Sequence, residues 1–253
     1  MIMLKSPDEI ERMRRASGIV AGILAEVAER VRPGVSTAEL DALAEELTYR
    51  HGAKPAFKGY VVGGRTFPAS ICISINDEVV HGIPSSRRVL RDGDLVGLDF
   101  GVCHEGYFGD AARTVAVGEV SPAARTLMAV TAEALAAGID AIRPGAHIAD
   151  ISGAIQDVAE RAGYSLVREF VGHGIGRTLH EDPQVPNYRT GGRGVRLSEG
   201  LVLAIEPMVN AGAAEVYLRD DGWTAATRDG RLSAHFEHSV AVTAKGPYIL
   251  SEP

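Results

Sequence analysis

The sequence predicts an α+β fold made of two related halves, each a pair of helices followed by a β-rich stretch. Three observations carry this expectation. Helical periodicity with capping signals appears twice before each β-rich segment. Matching phrases recur: the offset that separates Val31-Arg-Pro-Gly from Ile142-Arg-Pro-Gly also relates Arg50 to Arg161 and Gly52 to Gly163. Each β-rich segment contains an apolar run that ends on a carboxylate, Gly93-Asp-Leu-Val-Gly-Leu-Asp99 in the first and Gly200-Leu-Val-Leu-Ala-Ile-Glu206 in the second. We expect a single domain over residues 1–253, with pseudo-repeat halves at about 1–118 and 119–253 and the helices packed outside a shared sheet.

The elements follow in chain order. Ser6 caps the first helix, Pro7 suits its first turn, and Glu9 completes an S-x-x-E box. A stripe of Ile10, Met13, Ala16/Ser17, Val20, Leu24 and Val27 then keeps helical spacing until Pro33-Gly34 ends the segment. Ser36 with Glu39 opens a second helix that runs to about Gly52. Residues 94–102 and 107–117 read as a β-hairpin centred on His104-Glu105. A third helix starts at Ser121-Pro122 and ends before Pro144-Gly145, and a fourth spans Ile148 to Ala162. The short period of a solenoid is absent.

Composition excludes several classes. Hydrophobic residues are 45% and charged residues 23% of 253, too apolar a balance for a disordered chain. A net charge of −7 gives no attraction to phosphate backbones or anionic lipid, so neither nucleic-acid nor membrane binding is expected. Two cysteines, Cys72 and Cys103, do not make a disulfide scaffold. The first residues turn charged without the apolar core of a signal peptide, and the run Gly18 to Ala25 is far short of the ~20 residues that span a bilayer. A soluble, cytoplasmic protein is expected.

The carboxylates in the strands demand explanation, because a lone buried carboxylate costs several kcal/mol or gives up its charge. Asp99 interrupts Leu95-Val-Gly-Leu-Asp-Phe-Gly-Val, and a hairpin centred on His104-Glu105 sets it directly opposite Asp110. Like charges facing each other destabilise a sheet unless a cation lies between them. Glu206 repeats the pattern in the second half, and Glu237 sits between His235 and His238 in an otherwise strand-like run. His173 adds an imidazole among the glycines of Phe170-Val-Gly-His-Gly-Ile-Gly. Four carboxylates and one imidazole suit two divalent ions at roughly 3.5–4 Å separation, bridged by shared carboxylates. Oxygen-rich ligation favours Mn, Fe or Co type ions, with zinc also allowed. Both cysteines lie outside the set.

Asp99, Asp110, His173, Glu206 and Glu237, together with His81-Gly-Ile-Pro84, Phe170-Val-Gly-His-Gly-Ile-Gly176, Ile205-Glu-Pro-Met-Val-Asn210 and Phe236-Glu-His-Ser239, resemble the metal ligands and signatures of the type I methionine aminopeptidases. The resemblance runs from Ser6 to about Thr243. It implies the pita-bread fold, a curved central antiparallel sheet shared by two αα-plus-β halves. It also implies removal of the initiator methionine from nascent polypeptides whose second residue is small, by attack of a metal-bound water on the scissile carbonyl. Asp99, Asp110 and Glu237 would hold one ion, His173 and Glu206 would complete the second, and Asp110 and Glu237 would bridge both. Glu206 matches the proton shuttle, and His180 and His81 match histidines on the substrate side. The methionine pocket falls to Phe57, Tyr60, Phe67, Cys72 and the single tryptophan, Trp223. A monomer, with transient ribosome contact, would fit the family.

The chain departs from that pattern in two places. Val61-Val-Gly-Gly-Arg-Thr66 separates Tyr60 from Phe67 where the family has a shorter phrase, an insertion of four residues whose Gly63-Gly64 suggests a flexible loop. His235 stands where glutamine is common, and we expect it to add a pH-sensitive group, so that His235→Gln would shift the acid limb of the rate profile. Two other readings compete: a proline-specific peptidase of the same superfamily, and a non-catalytic binding protein on this fold. A first helix at residue 7 leaves little room for the extra N-terminal domain of the former, and retention of all five ligands disfavours the latter. The short stretch between Glu206 and Glu237 has no space for the helical insertion of type II enzymes.

Overall fold

A computed structural model describes residues 2–252. Four helices among these residues form two pairs: α1 (Pro7–Arg30) with α2 (Thr37–Arg50), and α3 (Pro122–Asp140) with α4 (Ile148–Arg161). The capping boxes form as the sequence predicts. Glu9 N donates to Ser6 Oγ (3.3 Å) while Ser6 N donates to Glu9 Oε2 (3.0 Å), and Ser36 and Glu39 repeat the exchange. Each box satisfies two helix-end N–H groups that would otherwise lack partners.

The helices back onto a nine-stranded antiparallel sheet. Its main path runs Lys54–Pro55, Leu95–His104, Tyr107–Ala116, Glu237–Thr243, Val202–Ile205, Gly172–Gly174 and Glu181–Val185. Cys72–Ile75 also pairs with Leu95–His104, and Gly246–Ile249 with Glu237–Thr243. This is the α+β arrangement expected, with its strands drawn from both ends of the chain. Side chains alternate across a strand. Val96, Leu98 and Phe100 therefore pack beneath α1 and α2, beside Val20, Leu24 and Leu40, while Asp99 points from the opposite face. In the second half Leu203 and Ile205 pack with Leu127, Ile139 and Ile151 of α3 and α4, which turns Ala204 and Glu206 to that same opposite face. The helices thus take one face of the sheet, and the other is left for chemistry.

The hairpin register corrects one expectation. The turn is Glu105-Gly106, both with positive φ (51° and 78°), as a two-residue hairpin with the mirror-image turn requires. His104 therefore pairs with Tyr107, Asp99 opposes Ala112, and Asp110 opposes Gly101. Asp99 and Asp110 are diagonal neighbours rather than directly opposed. Because the slip is two residues, both stay on one face. Gly101 leaves room there, since a Cβ would crowd Asp110 Oδ1 at 3.2 Å and the Phe57 ring at 3.0 Å. The inserted segment differs too. Val61–Val62 pairs with Arg65–Thr66, so it is a short hairpin turning at Gly63-Gly64, both with positive φ, and not an open loop.

Candidate metal centre and substrate cavity

Sheet register assembles the site. Cys72 pairs with Asp99, Asp99 with Ala112, and Ala112 with Glu237, forming one row across four strands. Asp110 stands two residues from Ala112 on the same face. Ile205 pairs with His238, so one further step along that register brings Glu206 beside Glu237. Ala204 pairs with His173, two residues from Glu206 on the same face. All five residues singled out as ligands thus converge, from strands in both halves. Asp110, His173 and Glu237 each offer a ligand atom within 4.8 Å of the others. His173 Nε2 lies 3.5 Å from Glu206 Oε1.

His173 is held between two strands that approach closely. A Cβ on Gly174 would meet the Asp182 carbonyl oxygen at 2.2 Å, so glycine is required beside the imidazole. The Nδ1 of His173 lies 2.9 Å from the Gly174 carbonyl oxygen. Donation to that carbonyl leaves the Nε2 lone pair facing Glu206, the arrangement a metal-binding imidazole adopts.

The electrostatics are those of a cation site. Burial raises Asp99 to about 7. Asp110 is pushed well above the usual carboxylate range, first by burial and then by the charge of Asp99. Burial also raises Glu206 and Glu237, with further contributions from the neighbouring carboxylates. Asp110 Oδ1 and Glu237 Oε1 are buried without hydrogen-bond partners. Among the described residues lining this space there is no lysine or arginine to neutralise them. Buried oxygens of like charge and without partners fit divalent cations, and the oxygen-plus-imidazole set suits hard or borderline ions.

The carboxylates lie at one end of a cavity of about 320 Å³. Phe57, Tyr60, Phe67, Cys72 and Trp223 all line it, as the sequence predicts, and Phe67 and Trp223 meet edge to face at 5.3 Å. Leu179 and Val62 also line it, and neither is among the residues the sequence singles out for the pocket; Val62 lies in the Val61–Thr66 segment. His81 and His180 complete the lining. His81 has φ of 61°, a strained value for a residue with a Cβ, and its ring stands edge-on to Phe170 (5.3 Å) and Trp223 (6.4 Å). Burial, aided by the neighbouring His180, lowers its pKa to about 4. His180 leaves an edge exposed at the mouth, yet its surroundings are dense enough to lower its pKa as well. Its ring centroid is 4.3 Å from that of His173.

His235 lies 3.9 Å from Glu206 Oε2, which brings it into the carboxylate cluster. Burial lowers its pKa to about 3 and keeps the ring neutral above that pH.

Residues 11–244 match metallopeptidase family M24. A methionine aminopeptidase of Clostridium perfringens is 51% identical over 251 residues, covering 99% of each chain. The crystal structure of a methionine aminopeptidase from Thermotoga maritima superposes with a TM-score of 0.96 at 45% identity, covering all of both chains. A prolidase from Pyrococcus furiosus shares the fold at a TM-score of 0.78 and 24% identity, and the match covers 65% of its length. Together these matches establish that the chain belongs to metallopeptidase family M24, on its methionine aminopeptidase branch.

Proposed function

We propose that this chain removes N-terminal methionine from polypeptides, using two divalent ions of the Mn, Fe or Co type. The observation that carries the reading is the convergence of four carboxylates and one imidazole on one sheet face, at the end of an apolar cavity without a cationic side chain. Asp99, Asp110 and Glu237 would hold one ion, and His173 and Glu206, together with Asp110 and Glu237, would hold the second. When bound, such ions supply Lewis-acid polarisation of a carbonyl and an acidified water nucleophile.

The remaining roles fall to the chain itself. Phe57, Tyr60, Phe67, Cys72 and Trp223 bind the methionine side chain, because a polarizable thioether packs well against aromatic edges and sulfur. Neutral His81 and His180 donate hydrogen bonds to the peptide group under attack. Glu206 takes up a proton and returns it to the departing amine. The apolar wall limits water at the reacting centre, and a site that must admit an extended chain beside the carboxylates is expected to prefer small second residues. The substrates are new chains in the cytoplasm, met near the ribosome by a monomer. None of the helices in the described residues is long and apolar enough to cross a membrane.

The test uses protein stripped by a chelator and then supplied with Mn or Co. Release of methionine from Met-Ala-Ser should vanish on stripping and return with metal. Metal-restored protein that leaves Met-Ala-Ser intact, or cleaves an Xaa-Pro peptide in preference, overturns the reading.

A further inference from the structure

Tyr60 does more than line the cavity. Its Oη lies 2.6 Å from His180 Nδ1, and the two rings sit 5.2 Å apart at 50°. Its backbone is clamped where the inserted hairpin closes: Tyr60 N donates to the Phe57 carbonyl (2.9 Å), Phe67 N to the Tyr60 carbonyl (2.8 Å), and Gly59 N to the Phe67 carbonyl (3.0 Å). The Val61–Val62 and Arg65–Thr66 strands extend from that clamp, and the Arg65 guanidinium packs against Gly222, where a Cβ would come within 2.8 Å of it. The backbone that carries the phenol is therefore held beside the imidazole, and the 2.6 Å contact places its hydroxyl on Nδ1.

A neutral imidazole carries one N–H, and the partner of one nitrogen decides which nitrogen has it. A phenol is protonated throughout the neutral range and prefers to donate to a basic nitrogen. Burial raises the Tyr60 pKa further and keeps it in that form. Once the phenol donates to Nδ1, the imidazole proton must sit on Nε2.

We propose that Tyr60 is a positioning residue whose hydroxyl donates to Nδ1 of His180 and holds that imidazole as the Nε2–H tautomer, ready to donate to the substrate in the cavity. The inserted hairpin, by fixing Tyr60, sets the geometry of that donor. This role rests on the peptidase reading above. Without the phenol, His180 divides between two tautomers and two ring orientations. Methionine still fits the pocket, but only part of the enzyme presents a donor.

The experiment compares wild type with Tyr60→Phe, both loaded with zinc for spectroscopy and with Mn for kinetics. Phenylalanine keeps the ring against the wall and removes only the hydroxyl. In ¹⁵N-histidine NMR spectra, wild-type His180 should show a protonated Nε2 and a bare Nδ1, and Tyr60→Phe should show a mixture. On Met-Ala-Ser, kcat should fall about two- to fourfold, by the share of competent states, while KM stays within about 1.5-fold, because the lost interaction acts on the reacting group and not on side-chain binding. The proposal is overturned if wild-type His180 carries its proton on Nδ1, if the tautomer is unchanged in Tyr60→Phe, or if kcat is unchanged. Wild-type protein that releases no methionine would overturn the peptidase reading itself. Normal wild-type release with an unaltered Tyr60→Phe overturns the Tyr60 role alone.

Discussion

Carboxylates are buried in two kinds of place in this protein, and they are treated in opposite ways. Glu78 is buried under the sheet of Glu78–Val80 and Ala225–Thr227, where it takes hydrogen bonds from Arg88, from Arg219 Nη1 (2.6 Å) and from the Ile75 backbone (2.8 Å). Glu181 is matched by Lys5, with both side chains almost fully covered, and its other oxygen accepts from Arg177 N and Thr178 N. At both of these places the carboxylate fastens one segment to another and the chain supplies the cation. At the cavity floor Asp99, Asp110, Glu206 and Glu237 meet one another instead, and two of their oxygens have no partner. The first arrangement is complete in the apoprotein. The second is balanced only by something the chain does not encode, and this asymmetry distinguishes a functional site from a structural ion pair more clearly than burial alone.

The sharpest way to break the comparison is Asp110→Asn. Asparagine replaces a carboxyl that the metal-free fold holds un-ionised but the unfolded chain ionises, so it should raise the melting temperature of the metal-free protein at neutral pH. The same change should abolish most of the stabilisation that Mn or Co gives wild type, and reduce methionine release on the order of a thousandfold. Calorimetry with and without metal, beside a peptide assay, reads all three. A metal-free variant that melts lower than wild type would mean that Asp110 is structurally satisfied, and the two regions would no longer differ in kind.

Glu78→Ala should do the reverse. It takes one partner each from Arg88 and Arg219, which keep the Ile83 carbonyl (2.6 Å) and Asp77 (2.9 Å), and costs about 1–3 kcal/mol, tempered because Arg88 and Arg219 keep 23% and 36% of their side chains exposed. The loss should be the same with and without metal in denaturant titrations. A loss that vanished on metal loading would tie Glu78 to the cavity floor and undo the distinction.

How much of this was legible from residues differs by element, for physical reasons. The capping boxes at Ser6 and Ser36 were plain because they are local, and so was the alternation that sends Leu98 inward and Asp99 the other way. The metal-binding set was legible because a carboxylate ending an apolar strand is out of place wherever the strand goes. The hairpin register was read two residues off, because a centre at His104-Glu105 ignores the preference of Gly106 for positive φ. The face came out right only because two is the period of a strand. The long-range pairs were invisible. Nothing in the sequence couples Lys5 to Glu181, Arg219 to Glu78 or Tyr60 to His180, since each depends on how two distant segments lie. Val62 was missed for the same reason: an insertion reads as a loop until its partner strand is seen.

The mildest probe of the comparison is Glu9, a carboxylate satisfied by the fold yet open to solvent. The backbone N–H of Ser6, the hydroxyl of Tyr107 (2.7 Å) and the guanidinium of Arg177 (3.2 Å) lower its pKa from 4.5 to about 2. A carboxylate whose folded value lies below its unfolded one adds stability that is complete above the unfolded value and is lost as pH falls through the folded one. The contribution of Glu9 is thus present above about pH 4.5 and fades toward pH 2. Because the group is solvent-accessible, screening keeps that contribution under about 1 kcal/mol. Glu9→Gln retains the capping geometry, as glutamine also serves at that position of the box, and removes only the charge. The variant should melt slightly below wild type at pH 7, and the gap should close as pH drops toward 2. The Asp110→Asn difference has another origin and should not follow this course, because a carboxylate kept from ionising by burial, and then by the neighbouring Asp99, weakens the fold as pH rises and does nothing for it in acid. Two substitutions that each remove one negative charge, with melting-temperature changes of opposite sign at neutral pH, would show that what a carboxylate faces decides its effect, and not the charge itself.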